Sequence, residues 1–252
     1  MINGEILSAY MRETAADMLA LIPPVRRGVD DAMAAHCTDA LARAAYATLG
    51  TAENLDAYTL LSQRAPEPSA FCVSALALSF LTGAAGICPS AKIRLAGCAE
   101  PMWACGSARL FAVCLGNIIC NSIVYAGEKI DITVSIEKYK NNINIAVRDN
   151  GRGMQAKISE AAFEPFVSFD PYLDKPERPS LGLGLAIVNA YVHAYKGTLA
   201  VQSTFGSGTC IALSLPACAP AAAPPLPDFC ADRYSTLYTQ LSTVCDLPIL
   251  VV

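Results

Sequence analysis

The sequence predicts an α+β chain: a two-helix hairpin over residues 1–65, then an α/β sandwich over residues 66–216. Three observations lead there. Apolar residues recur at helical spacing through residues 1–65, and five β-branched or alternating runs lie between residues 92 and 215. Apolar residues make up 54% of the 252 positions, ample for a core. A Pro/Ala stretch at 217–227 sets off a tail at 228–252.

In the first segment Leu7, Met11, Thr14, Met18, Leu21 and Val25 step alternately by four and three, a heptad seam. Pro23 and Pro24 break it near its end. A second helix starts near Asp30 and runs past Gly50, with Met33, Cys37, Leu41, Ala44, Ala45 and Leu49 on one side; Leu55, Tyr58 and Leu61 extend it. Two such helices share a thin face. They gain most by pairing with a second copy into a dimeric four-helix bundle, and otherwise pack on the domain that follows.

Within residues 66–216, strands are predicted at 92–95, 130–136, 143–147, 199–203 and 209–215, with a turn at Lys140-Asn141-Asn142. Helices are predicted at 108–124 and 182–195, which places helices on one face of a mixed sheet. Residues 69–91 carry no charge and have the length of a bilayer crossing, but their serines, glycines and alanines make them a buried helix rather than a span. In the tail, Asp228 is suited to capping a helix and residues 247–252 to adding a strand at a sheet edge.

Composition excludes several classes. The net charge is −4 and no Lys/Arg run occurs, which argues against a nucleic-acid partner. Eleven cysteines without a CxxC pair, with only His36 and His193 beside them, argue against zinc and for free, buried thiols in a reducing cytoplasm. Residues 1–6 have no signal-peptide pattern.

Four stretches carry the chemistry. Asn117 and Asn121 lie four apart, so both amides leave one face of an otherwise apolar helix, where carbonyl oxygens suit a hard cation. Arg148-Asp149-Asn150-Gly151-Arg152-Gly153 follows a strand: the carboxylate can accept from an exocyclic amine, and the glycines admit a flat ring or simply make a turn. Phe163-Glu164-Pro165-Phe166 anchors a polar loop carrying Lys175 and Arg178, both within reach of phosphates. Gly182-Leu183-Gly184 opens a helix whose free N–H groups favour an anion, and Phe205-Gly206-Ser207-Gly208-Thr209 comes after it.

In this order the stretches resemble the Bergerat (GHKL) ATP-binding fold shared by histidine kinases, gyrase B, heat-shock chaperones and MutL. The histidine kinase version is the most similar, through Asn117…Asn121, Phe163-Glu164-Pro165-Phe166 and the run Gly182-Leu183-Gly184-Leu185-Ala186-Ile187-Val188. The resemblance covers residues 66–216. It implies a sandwich of the histidine kinase ATPase type and ATP with Mg²⁺ as cofactors. It also implies site roles: Asn121 as the metal ligand, Asn117 as its catalytic support, and Asp149 on the adenine amine. Gly151, Gly153 and Thr209 would line the adenine pocket, Tyr125 would flank the ring, and Gly182 and Gly184 would bind phosphates.

The chain departs from that pattern in places. Ala9 stands where the hairpin of the family carries its phosphoacceptor histidine, and His36 has no adjacent acid to orient it. Val124 replaces a lysine, Ser168 a basic residue and Ser180 a glycine. Two lost charge contacts together cost a few kcal/mol, on the order of a hundredfold in phosphate affinity. The expected function is phosphoryl transfer from Mg-ATP in a two-component pathway, by a dimer joined through residues 1–65 and acting on a response regulator or another signalling protein. The alternative is a non-catalytic dimeric module that senses ATP or docks a regulator. An anti-sigma-type serine kinase shares the ATP fold but lacks the helical hairpin. The expected location is the cytoplasm, either as a free protein or as the cytoplasmic part of a longer membrane sensor.

Overall fold

The first described element is a single 33-residue helix, α1 (Asp31–Gln63). The computed structural model describes Met18 and residues 31–97, 100–126, 129–154, 161–167, 181–220, 229, 234–242 and 244–245. The heptad seam, Ala9, and residues 168–180, 228 and 247–252 fall outside these, apart from Met18. After α1 come β1 (Ser69–Cys72), α2 (Val73–Ile87), β2 (Ala91–Ala96), β3 (Trp103–Gly106) and α3 (Ala108–Val124). Then follow β4 (Ile130–Tyr139), β5 (Asn142–Asp149), α4 (Gly184–Ala194), β6 (Thr198–Thr204), β7 (Gly208–Pro216) and α5 (Thr236–Leu241).

Five strands form one mixed sheet in the order β2-β4-β5-β7-β6. β2 pairs parallel with β4, and the remaining pairs are antiparallel. Alternation decides the faces. Ile132, Val134, Ile136, Ile143, Ile145, Val147, Ile211, Leu213 and Leu215 are buried, while Thr133, Ser135, Arg148 and Cys210 face the other way. Register stacks them in rows, such as Ile136 opposite Ile145 and Ile145 opposite Leu213. Each buried isoleucine contributes about 1.5–3 kcal/mol. α3 and α4 cover this face, so the architecture is the expected two-layer sandwich with its helices on one side.

α3 runs over residues 108–124 as predicted. Ser107 caps it, its hydroxyl accepting from Leu110 N at 3.4 Å. Gly116 is its tight point, because a Cβ there would press on Gln240 Cγ at 2.9 Å.

Three expectations change. Residues 69–91 are not one helix: 69–72 extend and pair antiparallel with β3, Ser69 opposite Gly106, and only Val73–Ile87 is helical. Among the described residues no helix is long and apolar enough to cross a membrane. The predicted inner side of the second helix is only partly inner. Cys37 and Leu61 are buried as expected, but Met33 and Leu49 are 48% and 41% exposed, and Gly50 and Ala57 are buried in addition. The reason is that α4 and α5 pack on the C-terminal half of α1, so its neighbours and not its own apolar count choose the face. The nine described cysteines are free, but among them only Cys37, Cys88, Cys114 and Cys245 are buried; Cys72, Cys105, Cys120, Cys210 and Cys218 are half-buried. Burial pushes the Cys114 thiol well above its usual range, which suits an inert packing residue.

The tail has a structural role that the Pro/Ala stretch did not announce. Ala217 bridges Ala104, and Cys218 N donates to Trp103 O at 3.1 Å, so the chain leaves β7 along β3. Farther on, Phe229 meets Phe80 edge-on at 5.2 Å, and Leu237 and Leu241 of α5 are fully buried. Leu237→Ala should therefore lower the unfolding free energy by about 2–4 kcal/mol in urea denaturation. A loss below about 0.5 kcal/mol would mean that the tail is not part of the cooperative core.

Candidate functional site

Asp149 ends β5, and its carboxylate ties three elements together. Oδ1 accepts from Gly151 N at 2.9 Å and from Thr209 N at 3.0 Å, and Oδ2 accepts from Ser122 Oγ at 3.1 Å. The strand end, the start of β7 and the end of α3 thus meet on one side chain. A carboxylate has about four acceptor sites. Three protein donors leave room for one more.

The surrounding loop is compact for its own reasons. Arg152 N donates to Tyr125 O at 3.0 Å, and the Arg152 guanidinium lies 5.2 Å from the Tyr125 ring centroid. A Cβ at Gly151 would stand 2.6 Å from Tyr125 O. Gly153, at φ +68°, packs so tightly on Thr204 O that no Cβ fits. These glycines, read from sequence as making room for a ring, also make room for the chain itself. The Thr209 hydroxyl is 2.9 Å from Ser203 Oγ, which in turn receives Met154 N at 2.7 Å.

The two asparagines of α3 sit in different surroundings. Asn117 is 7% exposed; its Nδ2 donates to Asn54 Oδ1 at 2.8 Å and to Val113 O at 2.9 Å. Asn121, one turn on, is half-buried and has no side-chain hydrogen bond among the described residues. An unpartnered amide carbonyl on a helix flank suits Mg²⁺, which takes few protein ligands and completes its shell with phosphate and water oxygens. The residues present therefore fit that ion. Among the described residues no group of three or more His, Cys, Asp or Glu side chains gathers in a metal-binding cluster.

Gly182 and Gly184 close the other side. Gly182, at φ +63°, leaves no space for a Cβ against Val167 O, and its own carbonyl receives Phe166 N at 3.1 Å. This joins Phe166 to Gly182, with the Phe166 ring edge-on to Tyr58 of α1 at 6.3 Å. α4 begins at Gly184 without a side-chain cap, so its first N–H groups are open to an anion. A Cβ on Gly184 would lie 2.6 Å from Asn117 Oδ1, which places the glycine stretch beside the asparagine helix. Val124 is 42% exposed where the resembling family has lysine.

Four participants escaped the sequence. Ser122 was adjacent to a named residue and was legible as a hydroxyl beside a carboxylate only once β5 met α3. Glu53, Asn54 and Gln240 carried no local signal, since their partners lie far away in the chain.

Comparison with known proteins agrees with this arrangement. Residues 106–219 match the family described as histidine kinase-, DNA gyrase B- and HSP90-like ATPase. The chain is 32% identical over 111 residues to the sensor-like histidine kinase SenX3 of Mycolicibacterium smegmatis, covering 44% of this chain and 29% of that protein. It is 33% identical over 99 residues to the sensor histidine kinase YvrG of Bacillus subtilis, 39% of this chain and 17% of that one. The chain thus spans under a third of the length of these relatives. Among solved structures, the histidine kinase AdeS of Acinetobacter baumannii superposes with a TM-score of 0.61 at 18% identity, over 82% of this chain and 96% of that one. Full-length ShkA in complex with AMPPNP gives 0.62 at 17% identity, over 88% and 47%. At these identities the superpositions establish the fold alone.

Gly153 and Gly206 separate backbone strain from collision. Both have positive φ, but a Cβ at Gly206 meets nothing within 4 Å. Gly206→Ala should cost about 1–2 kcal/mol of stability by chemical denaturation and Gly153→Ala clearly more. Equal costs would mean that Thr204 yields freely.

Proposed function

We propose that this chain binds Mg-ATP between α3, the Asp149 loop and the start of α4, and transfers its γ-phosphoryl group in a two-component pathway; the match of residues 106–219 to the histidine kinase-, DNA gyrase B- and HSP90-like ATPase family supports this reading. The observation that carries the proposal is the Asp149 carboxylate, held by Gly151, Thr209 and Ser122 with one acceptor site to spare. That site takes the exocyclic amine of adenine. Gly151, Gly153 and Thr209 line the base and Tyr125 flanks it. Asn121 offers its carbonyl to Mg²⁺, which when bound neutralises phosphate charge. Gly182, Gly184 and the open N–H groups of α4 receive the phosphates. Asn117 lies beside this junction as a catalytic support once it is released from Asn54.

Such transfer depends on position and charge more than on a strong base. The thinned phosphate contacts, with Val124 in place of a lysine, predict weak nucleotide affinity. A homodimer through residues 1–65 and a response regulator or another signalling protein are the proposed partners, with the cytoplasm as the proposed location. The second reading is an ATP-sensing module without transfer. It is favoured by the burial of Asn117 against α1 and by His36, which stands exposed on α1 with no acid bonded to it among the described residues.

Titration with a fluorescent ATP analogue should show Mg²⁺-enhanced binding in the wild type that Asn121→Ala loses, and a ten- to hundredfold weakening in Asp149→Asn with or without Mg²⁺. No binding at millimolar nucleotide would end the ATP proposal. Incubation with γ-labelled Mg-ATP should then yield an acid-labile phosphoprotein or labelled regulator. Binding without label transfer selects the sensing module, and label lost specifically in His36→Ala would make that residue the acceptor.

A further inference from the structure

The tail helix α5 ends a chain of polar contacts that reaches the nucleotide site. Thr236 Oγ1 donates to Glu53 Oε1 at 2.7 Å and Thr239 Oγ1 to Glu53 Oε2 at 2.6 Å. Gln240, 5% exposed, donates through Nε2 to Glu53 Oε2 and to Asn54 Oδ1, each at 3.1 Å. Asn54 then pairs reciprocally with Asn117: Asn117 Nδ2 to Asn54 Oδ1 at 2.8 Å, and Asn54 Nδ2 to Asn117 Oδ1 at 3.4 Å. With Val113 O at 2.9 Å, both hydrogens of the Asn117 amide are spent inside the protein.

The groove is shaped for this helix. A Cβ on Gly50 of α1 would strike Thr239 O, and one on Gly116 of α3 would lie 2.9 Å from Gln240 Cγ. Tyr46 of α1 stacks on Tyr238 at 6.4 Å, and Arg43 Nη1 donates to Cys245 O at 3.2 Å. The tail therefore fastens α1 to the ATPase domain at the residue expected to support catalysis.

Two consequences follow from the hydrogen bonds. Asn117 can turn to a bound nucleotide only by breaking its pair with Asn54. Asn54 cannot turn with it while Gln240, itself held by Glu53, donates to its oxygen, because a buried amide that loses its partners carries a desolvation cost. We infer that the α5 segment is an intramolecular restraint on the nucleotide site, with Gln240 and Asn54 as positioning residues that keep Asn117 on α1 and away from Mg-nucleotide. The inference rests on the ATP-binding proposal above. Displacing α5 frees Asn117 and raises affinity for Mg-nucleotide.

The test uses the full chain and a fluorescent ATP analogue with Mg²⁺. Gln240→Leu keeps most of the volume and removes both donors; Thr239→Val removes the hydroxyl on Glu53 and serves if the first variant folds poorly. Each should lower the thermal midpoint and yet bind the analogue about five- to tenfold more tightly. The gain should vanish when Asn117→Ala is added, a coupling that a merely structural helix would not give. Folded variants that bind as the wild type does, or more weakly, overturn the restraint while leaving the ATP site standing. Absence of binding in the wild type and in both variants overturns the ATP site and the restraint with it.

Discussion

The Asp149 carboxylate is the point on which the candidate site is built. It receives hydrogen bonds from the loop after β5, from the first residues of β7 and from the last turn of α3. Bonds from neutral donors to a charged acceptor are shorter and stronger than those between neutral groups. Here they join segments separated by 27 and 60 positions in the chain. The glycines next to it are consequences of that convergence. Gly151 lies against Tyr125 O, Gly153 against Thr204 O and Gly208 against Asp149 O, and a side chain at any of them would push the three segments apart.

The sheet supplies the platform for that meeting. Its inner face is aliphatic along β4, β5 and β7, and α3 and α4 cover it, so the end of α3 and the start of α4 arrive at the same edge. Gly184 lying against Asn117 records the meeting of the two helices. Phe166 is joined to Gly182 beside them, Phe166 N donating to Gly182 O. The asparagine helix and the glycine stretch therefore come together through packing of apolar layers, and their polar atoms remain at the rim.

Much of the site was legible because its signals are local. The two amides of α3 share a face by helix period, the Asp-Gly stretch follows a strand, and the glycines precede a helix. Each is a short-range pattern. The opposite holds for Ser122, Glu53, Asn54 and Gln240. Gln240 meets Glu53 across 187 positions and Asn54 across 186, and no period or spacing encodes such a contact. The same reason explains why Asn117 and Asn121, alike in sequence, differ in the fold: α1 and α5 reach the first and stop short of the second.

The sequence by itself determined the two-layer sandwich, the five strands of its main sheet, the asparagine helix and the placing of Asp149 at a strand end. These follow from alternation, helical period and glycine placement, which act over a few residues. Only the tertiary structure decided which face of α1 is buried, because α4 and α5 set it. It alone decided that the tail is a packed element joined to Glu53, and that Asn117 is paired with Asn54. Those outcomes depend on which surfaces meet after the chain has closed on itself. The energy of a buried amide pair or of a helix in a groove belongs to two distant segments jointly, and neither segment carries it alone.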